Sequence, residues 1–131
     1  MRHWQLSCRA DAREACGVCG GSGLSAQVIE RLEALDSCAV SDAMDALGLP
    51  SAISGLGRQS GCGLLAGKVR TVELVEGTPP PDMPKVHLCA RAIVTSDDQT
   101  VIVVAHPGAD AGGWGGVLST GAGLAGVRGV V

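Results

Sequence analysis

The sequence contains no phenylalanine and no tyrosine, and tryptophan occurs only twice in its 131 residues. A core without these rings must be built from Val, Leu, Ile and Ala, and apolar residues of all kinds reach 46% of the chain. Charged residues make up only 18%. This composition excludes a disordered chain, which has too little apolar surface to bury. The length suits one domain with a core of its own.

Positive charge and long apolar runs are also scarce. The net charge is -3 and the sequence pI is about 5.5. Without a basic stripe to neutralise phosphates, the chain is not expected to bind nucleic acid. No charge-free run is apolar enough to span a membrane, and residues 1–10 lack the apolar segment of a signal peptide. We therefore expect a cytoplasmic protein that binds neither nucleic acid nor a membrane.

Cysteine is present, at positions 8, 16, 19, 38, 62 and 89. Because there is no export signal, we expect most of these thiols to be reduced. Cys38, Cys62 and Cys89 stand among small apolar residues. They are therefore predicted to be buried packing groups.

Residues 16–23 match the Cys-x-x-Cys-x-Gly-x-Gly unit of the zinc-binding region in DnaJ-type chaperones. Cys16 and Cys19 would supply half of a structural zinc site, since such sites need further ligands. The nearest candidates for those ligands are Cys8 and His3. The alternative is a glycine-rich leader that binds no metal.

The chain is predicted to consist of a poorly patterned leader, residues 1–24, and one domain, residues 25–131. Helices and strands mix along that domain, which indicates an α/β or α+β class. The predicted elements are helices over 25–35, capped by Ser25, and 40–47, capped by Ser41; a strand over 68–76; a proline-rich loop over 77–84; a short helix over 86–93; a turn over 96–99; and a strand over 100–105.

Two acids on the second predicted helix, Asp42 and Asp45, are three residues apart and share one side. They resemble a paired-carboxylate site. The simpler interpretation is that both lie near the start of the helix, where acids interact favourably with its dipole.

The glycine-rich tail that follows the strand 100–105 is predicted to form a loop over 106–113, a helix from Trp114 to Ala125 ended by Gly126, and a strand beginning at Val127. A strand, a glycine loop and a helix start together bring backbone N–H groups to an anionic ligand. His106 and Asp110 flank this candidate carboxylate or phosphate site. His106 is either an acid–base group or a structural histidine at a strand end.

The same tail contains a Gly-x-Gly-x-x-Gly match formed by Gly121, Gly123 and Gly126. A dinucleotide-binding fingerprint must open a helix inside a βαβ unit and be followed by an acid for the ribose. The five residues after Gly126 contain no acid. The match is therefore a weak signal for a dinucleotide site.

Four segments in order resemble the regulator of ribonuclease activity A family, which includes the 4-hydroxy-4-methyl-2-oxoglutarate aldolases. The resemblance covers roughly residues 27–131. It rests on Leu35–Gly48, Gly63–Glu73, His106-Pro-Gly and Trp114–Val131.

The resemblance implies a three-layer β/β/α swivelling-domain sandwich of α/β class and a homotrimer with sites between subunits. In the aldolase branch a divalent metal, Mg or Mn, polarises a 2-oxo acid, and cleavage of a C–C bond releases pyruvate. Many members also decarboxylate oxaloacetate. The family's substrate-binding turn falls on Gly115, Gly116, Val117 and Leu118.

The chain departs from the aldolase pattern at two places. Gly116 stands where the aldolases commonly have an acid. The family continues its last strand into an Asp-Gly-x-x-Arg-Asp segment, whose Arg binds substrate and whose Asp positions the metal, and this sequence ends before it, at Val131. Arg128 precedes the strand and is not expected to replace that arginine. We therefore expect the chain as given to lack the charged half of the aldolase site.

Two functions follow from the resemblance. One is a metal-dependent aldolase and oxaloacetate decarboxylase, inactive if the missing segment is essential. The other is a non-catalytic regulator that binds an RNA-degrading endonuclease, for which an acidic surface suits a basic partner. A dinucleotide-binding fragment is a third, weaker hypothesis.

Overall fold

The computed structural model describes residues 4–7, 26–50, 53, 55–76, 81, 86–106 and 112–131. Its elements are β1 (Trp4–Ser7), α1 (Ala26–Glu33), α2 (Ser37–Ala46), β2 (Lys68–Glu76), α3 (Leu88–Val94), β3 (Thr100–Ala105), α4 (Gly116–Leu124) and β4 (Gly129–Val130). The α/β class predicted from the sequence is confirmed. The chain divides into two compact units, Met1–Gly23 with Gly67–Val131, and Leu24–Ala66.

The first unit holds a four-stranded sheet in the order β1-β2-β3-β4. β1 runs antiparallel to β2, whereas β2, β3 and β4 are parallel neighbours. Parallel strands need a crossover connection. Here α3 lies in the connection from β2 to β3, and α4 lies in the one from β3 to β4.

One face of this sheet carries the core, which contains Val72, Leu74, Cys89, Ala92, Ile93, Ile102 and Ala122. Side chains alternate along β2, so that Val72 and Leu74 are buried while Thr71 and Glu73 are exposed. Ile102, at the centre of β3, is 0% exposed. Removing such a side chain from water contributes about 1.5–3 kcal/mol. The core is aliphatic, as the absence of Phe and Tyr requires.

The predicted strands over 68–76 and 100–105 are confirmed with the same bounds. The helix predicted over 86–93 is α3, Leu88–Val94. The turn at 96–99 is closed by Asp97, whose carboxylate accepts hydrogen bonds from the Thr100 hydroxyl at 2.6 Å and from the Gln99 amide at 3.1 Å. Both bonds lower the pKa of Asp97, and the bond from the Thr100 hydroxyl has the larger effect.

Strand β1 was not predicted, and it lies inside the segment 1–24 that the sequence indicated as a leader. It pairs with β2 from Trp4 opposite Glu76 to Ser7 opposite Glu73. Four residues give too short an alternation to identify a strand. The strand is specified by its neighbour in the sheet.

The second unit contains α1 and α2, and α2 corrects two predictions. The helix begins at Ser37, three residues before the predicted start, and its N-cap is Asp36 rather than Ser41. The Asp36 carboxylate accepts the Ala39 amide at 2.7 Å. Asp42 and Asp45 therefore lie beyond the first turn, which contains no acid. The prediction that they stabilise the helix start was wrong.

The cysteine predictions divide. Cys89 is buried, as predicted, whereas Cys38 and Cys62 are exposed, so the prediction that they are packing groups was wrong. Cys38 lies on α2, a helix with no buried residue, and Cys62 lies in a segment without regular structure. Neighbouring apolar residues in the sequence do not bury a thiol unless an element packs over it. All three thiols are free.

Candidate functional site

The predicted anion site is built around the start of α4. Strand β3 ends at Ala105, His106 follows it, and the described chain resumes at Gly112 shortly before the helix. Asp110, the second predicted flanking residue, lies outside the described residues, as does Ser25. So do the zinc candidates Cys16 and Cys19 with Cys8 and His3, and most of the loop 77–84.

Gly113 fixes the loop against the sheet. A Cβ at this position would lie 2.6 Å from Leu74 Cδ1 and 3.2 Å from Val104 Cγ1, so a side chain here would require the buried Leu74 to shift. His106 Cδ2 would be 3.9 Å from the same Cβ, and the Cys89 thiol donates to the Gly113 carbonyl at 3.5 Å. The structure therefore brings His106 and the glycine loop together.

Burial raises the pKa of the Cys89 thiol above its ordinary value. Desolvation disfavours the thiolate, which is the reactive form of cysteine. Cys89 is therefore a packing group and hydrogen-bond donor beneath the loop.

Gly115 is the N-cap of α4, with extended backbone angles (φ -149°, ψ 177°) and no side-chain capping bond. The first N–H groups of a helix have no acceptor within it. In α4 the amides of Gly116, Val117 and Leu118 occupy these positions, because the first bond within the helix joins the Ser119 amide to the Gly115 carbonyl at 3.0 Å. The turn presents three backbone donors in a row.

Gly115 and Gly116 also have free space on the side where a side chain would stand. A Cβ on Gly115 or Gly116 would meet nothing within 4 Å. Val117 is 89% exposed, whereas Leu118 packs against the core and holds the turn to the sheet. All four residues predicted to bind substrate thus lie in one turn.

The electrostatics of this turn come from the backbone alone, because residues 112–127 contain no charged side chain. The helix dipole places partial positive charge at its N-terminus. A carboxylate or a phosphate is the ligand that such a terminus favours.

Arg128 has another role. Its Nε donates to the Asp98 carbonyl at 2.8 Å, and its amide donates to the Thr100 carbonyl at 3.0 Å. The side chain therefore joins the end of the α4 crossover to the turn before β3. This placement agrees with the expectation that Arg128 does not replace the family's substrate arginine.

The glycines of the apparent dinucleotide fingerprint lie at the wrong end of α4. Gly121 and Gly123 are within the helix, and Gly126 follows its C-terminus with φ +75°. The Val127 and Gly126 amides return to the carbonyls of Ala122 and Gly123, at 2.9 and 3.1 Å. This is a Schellman ending, in which glycine is favoured because φ is positive. The fingerprint is therefore a helix stop.

No group of three or more His, Cys, Asp or Glu side chains that could hold a metal ion occurs within the described residues. In those residues, too, no helix has the length and apolar character needed to cross a membrane.

Three contributors to the site were missed from the sequence: Gly113, Cys89 and Ser119. Gly113 is one of four glycines between positions 112 and 116, and only the packing distances distinguish it. A Ser four residues after a glycine cap signals a hydroxyl that can return to the cap carbonyl.

The fold and the site define an α/β protein in which a helix without a side-chain N-cap follows a parallel strand. A family model described as RraA-like (Aldolase/RraA) matches residues 37–131. The chain therefore belongs to the RraA-like family, as its motifs indicated. No curated protein and no solved structure matches the chain.

Proposed function

We propose that this protein binds a 2-oxo acid, with the substrate carboxylate held by the amides of Gly116, Val117 and Leu118. The observation that supports the proposal is the start of α4, which has no side-chain capping bond and where a Cβ on Gly115 or Gly116 would meet nothing within 4 Å. A carboxylate placed there accepts charge-assisted hydrogen bonds, which are about twice as strong as neutral ones.

The reaction that we propose is cleavage of 4-hydroxy-4-methyl-2-oxoglutarate-type 2-oxo acids to pyruvate, with decarboxylation of oxaloacetate as a side activity. In the aldol cleavage the C4 hydroxyl loses its proton, the C3–C4 bond breaks, one pyruvate leaves with the new carbonyl, and the electron pair of the bond forms the enolate of a second pyruvate. In the decarboxylation CO2 leaves and the electron pair forms the same enolate. A proton then converts the enolate to pyruvate. The contribution that we assign to Gly115–Leu118 is to bind and orient the carboxylate.

Dependence on a divalent metal, Mg or Mn, is consistent with membership of the family. The described residues do not form a ligand set for such an ion. We therefore assign no metal ligand and derive no step through a metal.

Pyruvate release is the direct test. The purified chain is incubated with oxaloacetate or with 4-hydroxy-4-methyl-2-oxoglutarate in Mg²⁺ or Mn²⁺, and pyruvate is measured against matched samples in EDTA. We expect release above the uncatalysed rate in the metal-containing samples. A rate equal to the protein-free control would reject catalysis by this chain.

Binding is tested separately with Gly116→Pro and Gly116→Ala. Proline is favoured at the first position of a helix, where its missing N–H breaks no helical bond, and the extended backbone of Gly115 suits a following proline. The proline variant loses one donor, while the alanine variant keeps it and adds a Cβ in open space. We expect oxalate or pyruvate to bind about tenfold more weakly to the proline variant only. Equal affinities would place the carboxylate elsewhere.

We propose the regulator function as the second candidate. The net charge of -3 supports this candidate. An RNA-degrading endonuclease with a basic surface would be the partner. The test measures nuclease activity and complex formation at low and high salt. No binding at low salt would reject this function.

We further propose the three-layer sandwich and the homotrimer. What supports them is family membership together with the parallel β2-β3-β4 sheet and its helices. Light scattering after gel filtration should give three times the mass of the chain. A monomer mass would reject the trimer.

A further inference from the structure

The indole of Trp114 is joined to the first turn of α4 by a short hydrogen-bonded chain. The indole Nε1–H donates to the Ser119 hydroxyl at 3.0 Å. That hydroxyl donates in turn to the Gly115 carbonyl at 3.2 Å. Because the Ser119 amide also donates to this carbonyl at 3.0 Å, Gly115 O accepts two hydrogen bonds from one residue.

The orientation of the Gly115 carbonyl sets the direction of a ligand-facing donor. The carbonyl of Gly115 and the N–H of Gly116 belong to one planar, trans peptide group. Fixing the oxygen toward Ser119 therefore points the hydrogen in the opposite direction, away from the body of the helix. Two bonds on the oxygen also polarise the peptide and strengthen the N–H as a donor.

The indole is itself anchored. Trp114 is half-buried and packs against the core, and the preceding residue, Gly113, packs closely against Leu74 and Val104. The chain from indole to hydroxyl to carbonyl thus ties the turn to the sheet. Thr120 donates similarly to the Gly116 carbonyl at 3.0 Å, but no indole bond to Thr120 is present among the described contacts.

We propose that Trp114 and Ser119 are positioning residues for the carboxylate site, acting through the Gly115–Gly116 peptide. This inference rests on the proposed function for its ligand. It goes beyond the proposed function because it gives two side chains the role of orienting the Gly116 N–H, which is itself the donor to the ligand.

The variants are Trp114→Phe, which keeps a ring and removes the N–H, and Ser119→Ala, which removes the hydroxyl. Ser119→Thr restores the hydroxyl and is the rescue variant. Thr95→Val is the matched control, since it removes a hydroxyl that donates to the carbonyl four residues earlier, at 2.9 Å, at the end of α3 rather than in α4. All are compared by oxalate titration and by melting temperature.

We expect oxalate to bind about three- to tenfold more weakly to Trp114→Phe and Ser119→Ala. Ser119→Thr should bind like the unmodified protein, Thr95→Val should change affinity less than about twofold, and the melting temperatures should agree. Unchanged affinity in the first two variants would overturn the proposal. So would an equal loss in Thr95→Val, which would show that removing any helix hydroxyl weakens binding.

A measurement without ligand separates this inference from the proposed function. In ¹⁵N relaxation, Trp114→Phe and Ser119→Ala should lower the order parameter of the Gly116 amide. The amide chemical shifts of the first turn of α4 should also change. If the unmodified protein does not bind oxalate, the proposed function fails, and the relaxation result alone decides the positioning role. If the order parameter stays unchanged, the positioning role fails.

Discussion

Helices α2 and α4 end in the same way and begin in opposite ways. Gly48 and Gly126 both follow the C-terminus with positive φ, and in each helix two amides return to the last carbonyls. At its start, α2 is closed by the Asp36 carboxylate, while α4 is preceded by Gly115, which has no side chain to offer.

The difference separates structural from functional helix ends. A carboxylate at the N-cap satisfies the first donors and competes with any external anion. A glycine N-cap leaves the donors to water or to a ligand.

The largest effect concerns the thiols near the two helix starts. Cys38 is exposed on α2, whereas Cys89 is 1% exposed beneath the loop before α4. We expect a thiol reagent to label Cys89 at least about a hundredfold more slowly than Cys38, because labelling requires local opening. Peptide mapping by mass spectrometry identifies each site.

Equal labelling rates would show that the loop does not cover Cys89.

The raised pKa of the Cys89 thiol also predicts how stability changes with pH. A folded-state pKa above the unfolded one contributes stability below the unfolded pKa, and that stability is lost as the pH rises through the folded pKa. Unfolding free energy should therefore fall at alkaline pH, and Cys89→Ala should reduce this fall.

Gly113→Ala should disturb the packing of the loop before α4 against the sheet. The added Cβ would lie 2.6 Å from Leu74 Cδ1 and 3.2 Å from Val104 Cγ1. We expect the free energy of unfolding in urea to drop by about 1–3 kcal/mol, as in other overpacked cores. Gly112→Ala is the control, because its Cβ meets nothing within 4 Å. A similar loss in both variants would show that the close packing of Gly113 is not the cause.

The common helix ends should respond alike. Gly48→Ala and Gly126→Ala force an L side chain into positive φ, which costs about 1 kcal/mol. Urea unfolding should show comparable losses for both, since neither Cβ has a neighbour closer than 3.9 Å. A loss confined to one helix would mean that the two endings are not equivalent.

Gly115→Asp gives α4 the closed start of α2 and has the smallest expected effect on stability. The extended backbone at 115 suits a capping residue, and replacing a glycine cap should add a few tenths of a kcal/mol, about 0.3. Oxalate binding should weaken markedly, because the new carboxylate occupies the donors. Stabilisation with unchanged oxalate affinity would show that the ligand does not use this turn.

The sequence predicted β3 because its apolar residues form a continuous run, and β2 because its residues alternate, although only partly in phase. The helix α4 and its glycine stop followed from the same local chemistry. Its start was predicted at Trp114, two residues early, because a glycine cap carries no side-chain signal to mark the boundary.

What the sequence could not predict depends on partners distant along the chain. The strand β1 exists through its pairing with β2. The start of α2 was misplaced because Ser41 looked like a cap, while Asp36 fulfils that role with the Ala39 amide. The close packing of Gly113 depends on Leu74 and Val104, which lie on two different strands.

The glycine content of α4 has a consequence for the order in which the sheet assembles. Gly116, Gly121 and Gly123 each make an isolated helix less favourable than alanine would, by about 1 kcal/mol. The segment cannot preform and shorten the loop that joins β3 to β4. We therefore expect α4 to become helical only as Leu118 and Ala122 dock on the core, so that β4 joins the sheet late in folding.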